Sequence, residues 1–115
     1  MKLKANRLIL FVKDAPKVAA FYRDVMGLKI NGDADDKKWI DVDAGGFSIG
    51  LHGGGKPVSA AGRPKLAFYA KDVAGARERL VERGAKLGKL MSFGELRFCD
   101  GKDPEGNLFQ LSNRL

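Results

Sequence analysis

Two residue types that build enzyme centres are nearly missing from this chain, which has one cysteine, Cys99, and one histidine, His52. A single cysteine excludes an intrachain disulfide and fits a reducing compartment, so a cytoplasmic location is expected. A single imidazole cannot complete a zinc site, which takes three or four nitrogen, sulfur or carboxylate ligands. Long apolar runs are also missing. The longest, such as Leu8 to Val12, have five residues, far short of the roughly 20 a membrane-spanning helix needs. Residues 1–4 lead into a strand pattern without the apolar core of a signal peptide, so no membrane partner is expected. Dense charge of one sign is the third absence. The net charge is +7, yet the basic residues are scattered and often sit beside acids, as in Arg77-Glu78-Arg79 and Glu82-Arg83. Without a basic stripe or a recognisable RNA- or DNA-binding motif, nucleic acid is not an expected partner. The charge reads as solvated surface that weakly attracts anions.

The chain does carry an internal repeat. Residues 65–72, Lys-Leu-Ala-Phe-Tyr-Ala-Lys-Asp, lie on residues 7–14, Arg-Leu-Ile-Leu-Phe-Val-Lys-Asp. Each Asp then opens a helical pattern that closes on a glycine, Gly27 or Gly84. Further along, with the register slipped by two, Asp43-Ala44-Gly45-Gly46 falls under Asp103-Pro104-Glu105-Gly106, and Ile49-Gly50-Leu51 under Phe109-Gln110-Leu111. A unit of roughly 50 residues buries little core alone, so two copies are expected to pack together, or against copies in a second subunit, and to share a cleft.

Alternation in Arg7 to Val12, with apolar residues on both faces, predicts a strand. Asp14 suits an N-cap, Pro16 a first helical turn, and Val18, Phe21, Tyr22 and Val25 recur at helical spacing up to Gly27. Strands are then expected from Leu28 to Ile30, Lys38 to Asp43 and Phe47 to His52. The second half repeats the order, with a strand from Leu66 to Ala70 and a helix capped by Asp72 that turns Val73, Ala76 and Leu80 inward. Strands near Ala85 to Leu87, Leu96 to Cys99 and Leu108 to Ser112 complete it. The expected organisation is a single α+β domain of two β-α-β-β-β modules, residues 1–55 and 65–115, joined by a polar, glycine-rich connector at 56–64.

Two segments, Ala20-Phe21-Tyr22-Arg23-Asp24-Val25-Met26-Gly27-Leu28 and Asp103-Pro104-Glu105-Gly106-Asn107-Leu108-Phe109-Gln110-Leu111, lie in this order on paired modules. With that arrangement the chain resembles the glyoxalase, bleomycin-resistance and extradiol-dioxygenase superfamily, the vicinal oxygen chelate proteins. The resemblance implies curled mixed sheets around a cleft. In the superfamily's enzymes it also implies a divalent metal, held from the first and last strand of each module. Carried onto this sequence, those ligand positions are Arg7, Gly50, Lys65 and Gln110. Arginine has no lone pair to offer, lysine has one only when deprotonated, glycine has no side chain, and a lone amide oxygen is a weak ligand. No metal and no cofactor are therefore expected.

On the fold so implied, Arg7 and Lys65 stand at the cavity floor. There they either grip an anionic group or pair with Asp41, Asp43 or Glu95. Phe11 and Tyr69 occupy matching positions beside them, Ile9, Ala67 and Leu108 share that face, and Trp39, Phe93 and Phe98 add aromatic surface for a planar ligand. His52 points to the same face as Gly50, either as a base or surrogate ligand or as a solvated strand end. The candidate ligand-binding set is thus Arg7, Ile9, Phe11, Trp39, Gly50, His52, Lys65, Ala67, Tyr69, Phe98, Leu108 and Gln110, with no catalytic residue assigned. Gly50 to Pro57 imitates a phosphate-binding loop, but Pro57 replaces the needed hydroxyl residue and no amphipathic helix follows. Cys99 reads as a small buried strand residue rather than a nucleophile.

The function expected is that of a metal-free homodimer that sequesters a small molecule, an antibiotic-like or aromatic anionic metabolite. Two alternatives stay open at this point. One is a metal-dependent lyase, isomerase or dioxygenase built from His52, Gln110 and carboxylates such as Asp41 or Glu95. The other is a regulatory or structural dimer module with vestigial clefts.

Overall fold

A computed structural model describes residues 2, 5–55 and 63–114. The chain divides into two units, Met1–Val58 and Ser59–Leu115, so most of the expected connector lies outside the described residues.

The first unit runs β1 (Arg7–Phe11), α1 (Ala15–Ala20), a π-helical turn (Phe21–Val25), β2 (Lys29–Asn31), β3 (Trp39–Asp43) and β4 (Ser48–His52). Its sheet has the order β1-β4-β3-β2. β1 runs parallel to β4 and the other neighbours are antiparallel. Asp14 starts the helix by accepting the Lys17 N–H at 3.2 Å, with Pro16 in the first turn where a missing N–H costs nothing. Further on, the Met26 N–H reaches back five residues to the Phe21 carbonyl at 3.1 Å, the wide spacing of a π turn. Gly27, at φ 77°, then ends the helix, and the Leu28 N–H bonds to the Tyr22 carbonyl at 2.8 Å. One sheet face packs under this helix: Leu10, Ile40, Val42, Ile49 and Leu51 are buried there, as are Val18, Ala19 and Tyr22 of the helix.

The second unit repeats the arrangement with β5 (Lys65–Tyr69), α2 (Val73–Glu82), β6 (Met91–Phe93), β7 (Leu96–Lys102) and β8 (Leu108–Ser112), in the order β5-β8-β7-β6. Asp72 caps α2 through the Gly75 N–H at 3.0 Å. Gly84, at φ 101°, ends it, with the Ala85 N–H bonded to the Leu80 carbonyl at 2.9 Å. Its core is Leu66, Val73, Leu80, Cys99, Phe109 and Leu111. Phe109 is completely buried and takes the room that a side chain at Gly101 would need.

One expected element is displaced. The strand anticipated near Ala85 to Leu87 is reduced to an isolated bridge between Leu87 and Gly101, and the edge strand forms later, as β6. The Arg77 guanidinium accounts for the shift. It donates to the Gly88 carbonyl at 2.8 Å and the Leu87 carbonyl at 3.3 Å, binding this segment to α2. Gly94, at φ 57°, makes the turn that pairs β6 with β7. The glycine run after β4 is likewise tied to its own sheet. Gly53 N–H bonds to the Lys38 carbonyl at 2.9 Å and Gly55 N–H to the Val12 carbonyl at 3.1 Å, so those donors are not turned to a phosphate.

Candidate functional site

Residues aligned across a sheet share a face, and the registers assemble one face per unit. In the first unit, Phe11, His52 and Trp39 lie in one row, and Ile9, Gly50, Asp41 and Asn31 in the next. Arg7 precedes them on β1. This face is opposite to the helix-covered core and stays open: Ile9 and Phe11 are 46% and 48% exposed. Its aromatics touch. The Phe11 and His52 rings are 5.1 Å apart, and Trp39 meets His52 edge-on at 6.4 Å.

Arg7 lies over the Trp39 ring, its guanidinium carbon 5.8 Å from the centroid, within the range of a cation–π contact. Its Nε also donates to Asp41 Oδ1 at 3.4 Å, while Asn31 Nδ2 donates to Asp41 Oδ2 at 3.2 Å. A side chain at residue 50 has no room. A Cβ built there falls on the benzo edge of the indole, 2.6 Å from Trp39 Cζ2, and 3.2 Å from Arg7 Cδ.

The second unit builds the same pattern from other residues. Tyr69, Ser112 and Phe98 form one row, and Ala67, Gln110 and Asp100 the next, with Lys65 and Leu108 beyond. Lys65 Nζ donates to Asp100 Oδ2 at 3.1 Å and Gln110 Nε2 to Asp100 Oδ1 at 3.0 Å. Phe98 stacks on Phe93 with ring centroids 6.1 Å apart and planes 12° from parallel. Tyr69 and Phe93 are 53% and 62% exposed.

Every sequence-predicted site residue thus lies on one of two open sheet faces, six on each. Of the three acids weighed as partners for the cations, Asp41 takes Arg7. Asp43 instead accepts the Gly45 N–H in its own turn, and exposed Glu95 sits in the turn between β6 and β7. Sequence reasoning missed Asp100 and Asn31. Asp100 is the register equivalent of Asp41, at an offset of 59 residues, whereas β1 and β5 are offset by 58 and β4 and β8 by 60. A repeat search that allowed one residue of drift per loop would have found it.

The donor set does not fit a metal. Among the described residues no group of three or more His, Cys, Asp or Glu is arranged to hold one. Cys99 points to the opposite face, fully buried, and burial pushes its thiol pKa up against the smaller lowering effect of Arg77. That keeps it protonated and unreactive.

The family model for the glyoxalase-like domain matches residues 7–112. The chain belongs to this family. Comparison with curated proteins finds no sequence match. Among solved structures, the glyoxalase-like chain is similar to TnmS3, an antibiotic binding protein from Streptomyces sp. CB03234, at 22% identity and TM-score 0.78, covering 96% of each chain. It is similar to a lactoylglutathione lyase from Agrobacterium tumefaciens at 18% identity and TM-score 0.77, covering 95% of this chain and 92% of that one. A member of the glyoxalase/bleomycin resistance protein/dioxygenase superfamily from Sphaerobacter thermophilus DSM 20745 gives 22% identity and TM-score 0.76, over 96% and 97%. These likenesses establish the expected α+β fold. They leave the activity to the residues themselves.

Proposed function

We propose that this glyoxalase-like protein binds a small planar organic molecule without a metal and holds it rather than turning it over. The observation that carries this reading is the indole of Trp39 lying where a side chain at residue 50 would stand. The position that the resemblance gives to a metal ligand therefore presents an aromatic surface. A ligand on the first face stacks among Phe11, Trp39 and His52, with Ile9 beneath and Arg7 at its polar end. The second face offers Tyr69, Phe98, Ala67 and Leu108, with Lys65 and Gln110 at the polar end. Aromatic contact of this kind contributes about 0.5–1.5 kcal/mol per ring pair beyond area burial.

The likeness to an antibiotic binding protein supports an antibiotic-like aromatic ligand. We further propose a cytoplasmic homodimer. The edge strands, each with one neighbour in its sheet order, support association. Among the described residues no helix is long and apolar enough to cross a membrane.

The test uses protein purified without chelator. Elemental analysis is expected to give well under one equivalent of metal, and aromatic ligands are expected to change the emission of Trp39, the chain's one tryptophan. One equivalent of metal per subunit, lost in His52→Ala, would overturn the reading in favour of a metal enzyme.

A further inference from the structure

We infer that Asp41 and Asp100 are specificity-determining residues that turn both sheet faces from anion receptors into neutral donor–acceptor sites, so that the ligand is an uncharged aromatic carrying polar groups rather than an aromatic acid. This rests on the proposed small-molecule binding and names its ligand class.

The same triad occurs twice. In each unit a cation on the first strand and a side-chain amide donate to the two oxygens of one aspartate: Arg7 and Asn31 to Asp41, Lys65 and Gln110 to Asp100. The aspartates are equivalent by register, facing Gly50 and Gln110 across the neighbouring strand. Each pair is locally neutral, so an incoming carboxylate meets a cation whose charge is already answered and an aspartate that repels it. A carboxylate ligand must displace Asp41 or Asp100 or lie beside it. A neutral group pays neither penalty.

Donor capacity remains for such a ligand. Arg7 gives Asp41 only its Nε, and its terminal nitrogens have no acceptor among the described residues. Lys65 uses one of its three N–H donors in the one hydrogen bond it makes among the described residues. Carbonyl, amide or phenol groups on a ring fit these donors, with the aspartate oxygens as acceptors for a ligand hydroxyl or amine.

The experiment titrates 2-naphthoate and 2-naphthamide into the ¹⁵N-labelled full chain, as wild type and as the Asp41→Asn/Asp100→Asn double variant. Amide shifts on β1 and β5 and Trp39 emission give the dissociation constants. Wild type is expected to bind the amide at least as tightly as the acid. The double variant, with its cations released, is expected to improve the acid-to-amide preference tenfold or more. A tenfold preference of wild type for the acid would overturn the inference. So would a preference unchanged in the double variant, which leaves small-molecule binding itself intact. No response of either face to either probe, in both proteins, would remove the proposed function and this inference together. Side-chain amide resonances of Asn31 and Gln110 are a control independent of ligand: both should move in the double variant, and their failure to move would deny the triads.

Discussion

In the first unit an indole covers a glycine. In the second, the equivalent of Gly50 is Gln110, and the aromatic at Trp39's place, Phe98, stacks on Phe93 of the edge strand instead. The two units share strand order, helix caps and the cation–aspartate pair, yet fill the middle of the open face differently. Apart from the cation–aspartate pair, which lies on the open face of each unit, the repeated features are those that backbone hydrogen bonding and core burial impose. The features that differ lie on the face that packing leaves free. Variation that costs the fold little is concentrated there, which is where ligand selectivity would be set.

The comparison breaks most severely in the cores. Tyr22 and Phe109 are the largest fully buried side chains of their units, and truncating either to alanine is expected to cost about 3–5 kcal/mol. Urea unfolding of the two variants would measure it. Similar losses would show that both helix-to-sheet cores carry comparable weight, and a loss below about 1 kcal/mol in one would mark that unit as loosely packed.

Gly50 and Gln110 should separate the units next. Gly50→Ala forces a methyl group into the indole and is expected to cost about 1–3 kcal/mol, as overpacking does. In a Trp39→Ala background the same change should cost little. Gln110→Ala gives up one hydrogen bond on an open face and should cost about 0.5–1.5 kcal/mol. A Gly50→Ala penalty that persists without Trp39 would refute the steric account.

The helix caps test likeness rather than difference. Asp14→Ala and Asp72→Ala remove the same bond from two helices, and each should lose about 1 kcal/mol. Unequal losses in thermal unfolding would show that the π turn after α1 changes what its cap is worth.

How much of this was legible in the sequence follows the same division. Strand alternation, the two capping aspartates and the closing glycines are local signals, and β8 was located to the residue. The π turn left no mark, because Phe21, Tyr22 and Val25 suit either helical pitch. The edge strand β6 was misplaced because its position depends on Arg77 reaching from α2 to the Leu87 and Gly88 carbonyls, a tertiary bond that composition does not announce. Period-two alternation put Arg7, Ile9 and Phe11 on one face of β1, and the strand registers add Gly50, His52 and Trp39 to it. The single shared cavity expected for both sets was read from the resemblance, not from the alternation. Asp100 was missed since the repeat was aligned only at its first and last strands, and the strand that carries Asp41 and Asp100 lies at an intermediate offset. The collision of Trp39 with a side chain at residue 50 depends on a rotamer, which residue order does not encode.

The smallest expected effect concerns Cys99, whose register equivalent in the first unit is Ile40. Burial raises the thiol pKa above its unfolded value, so the unfolded chain loses its proton first as pH rises. The contribution is whole below about pH 8.5, the ordinary cysteine value, and is lost as pH climbs through the folded pKa. Cys99→Ala should flatten the stability profile above that pH, and an unchanged profile would show that other groups set it.

The cation–aspartate pair also bears on ancestry. Arg7 with Asp41 and Lys65 with Asp100 hold equivalent places, whereas the third partner comes from the edge strand in one unit, as Asn31, and from the strand beside the first in the other, as Gln110. If one ancestral module was duplicated, the pair is the older trait and the amides were recruited afterwards, separately in each copy. A single unduplicated module, associating with itself, would already have carried the pair on the open face of each copy, and the present chain would have inherited a charge-balanced surface before its halves began to differ.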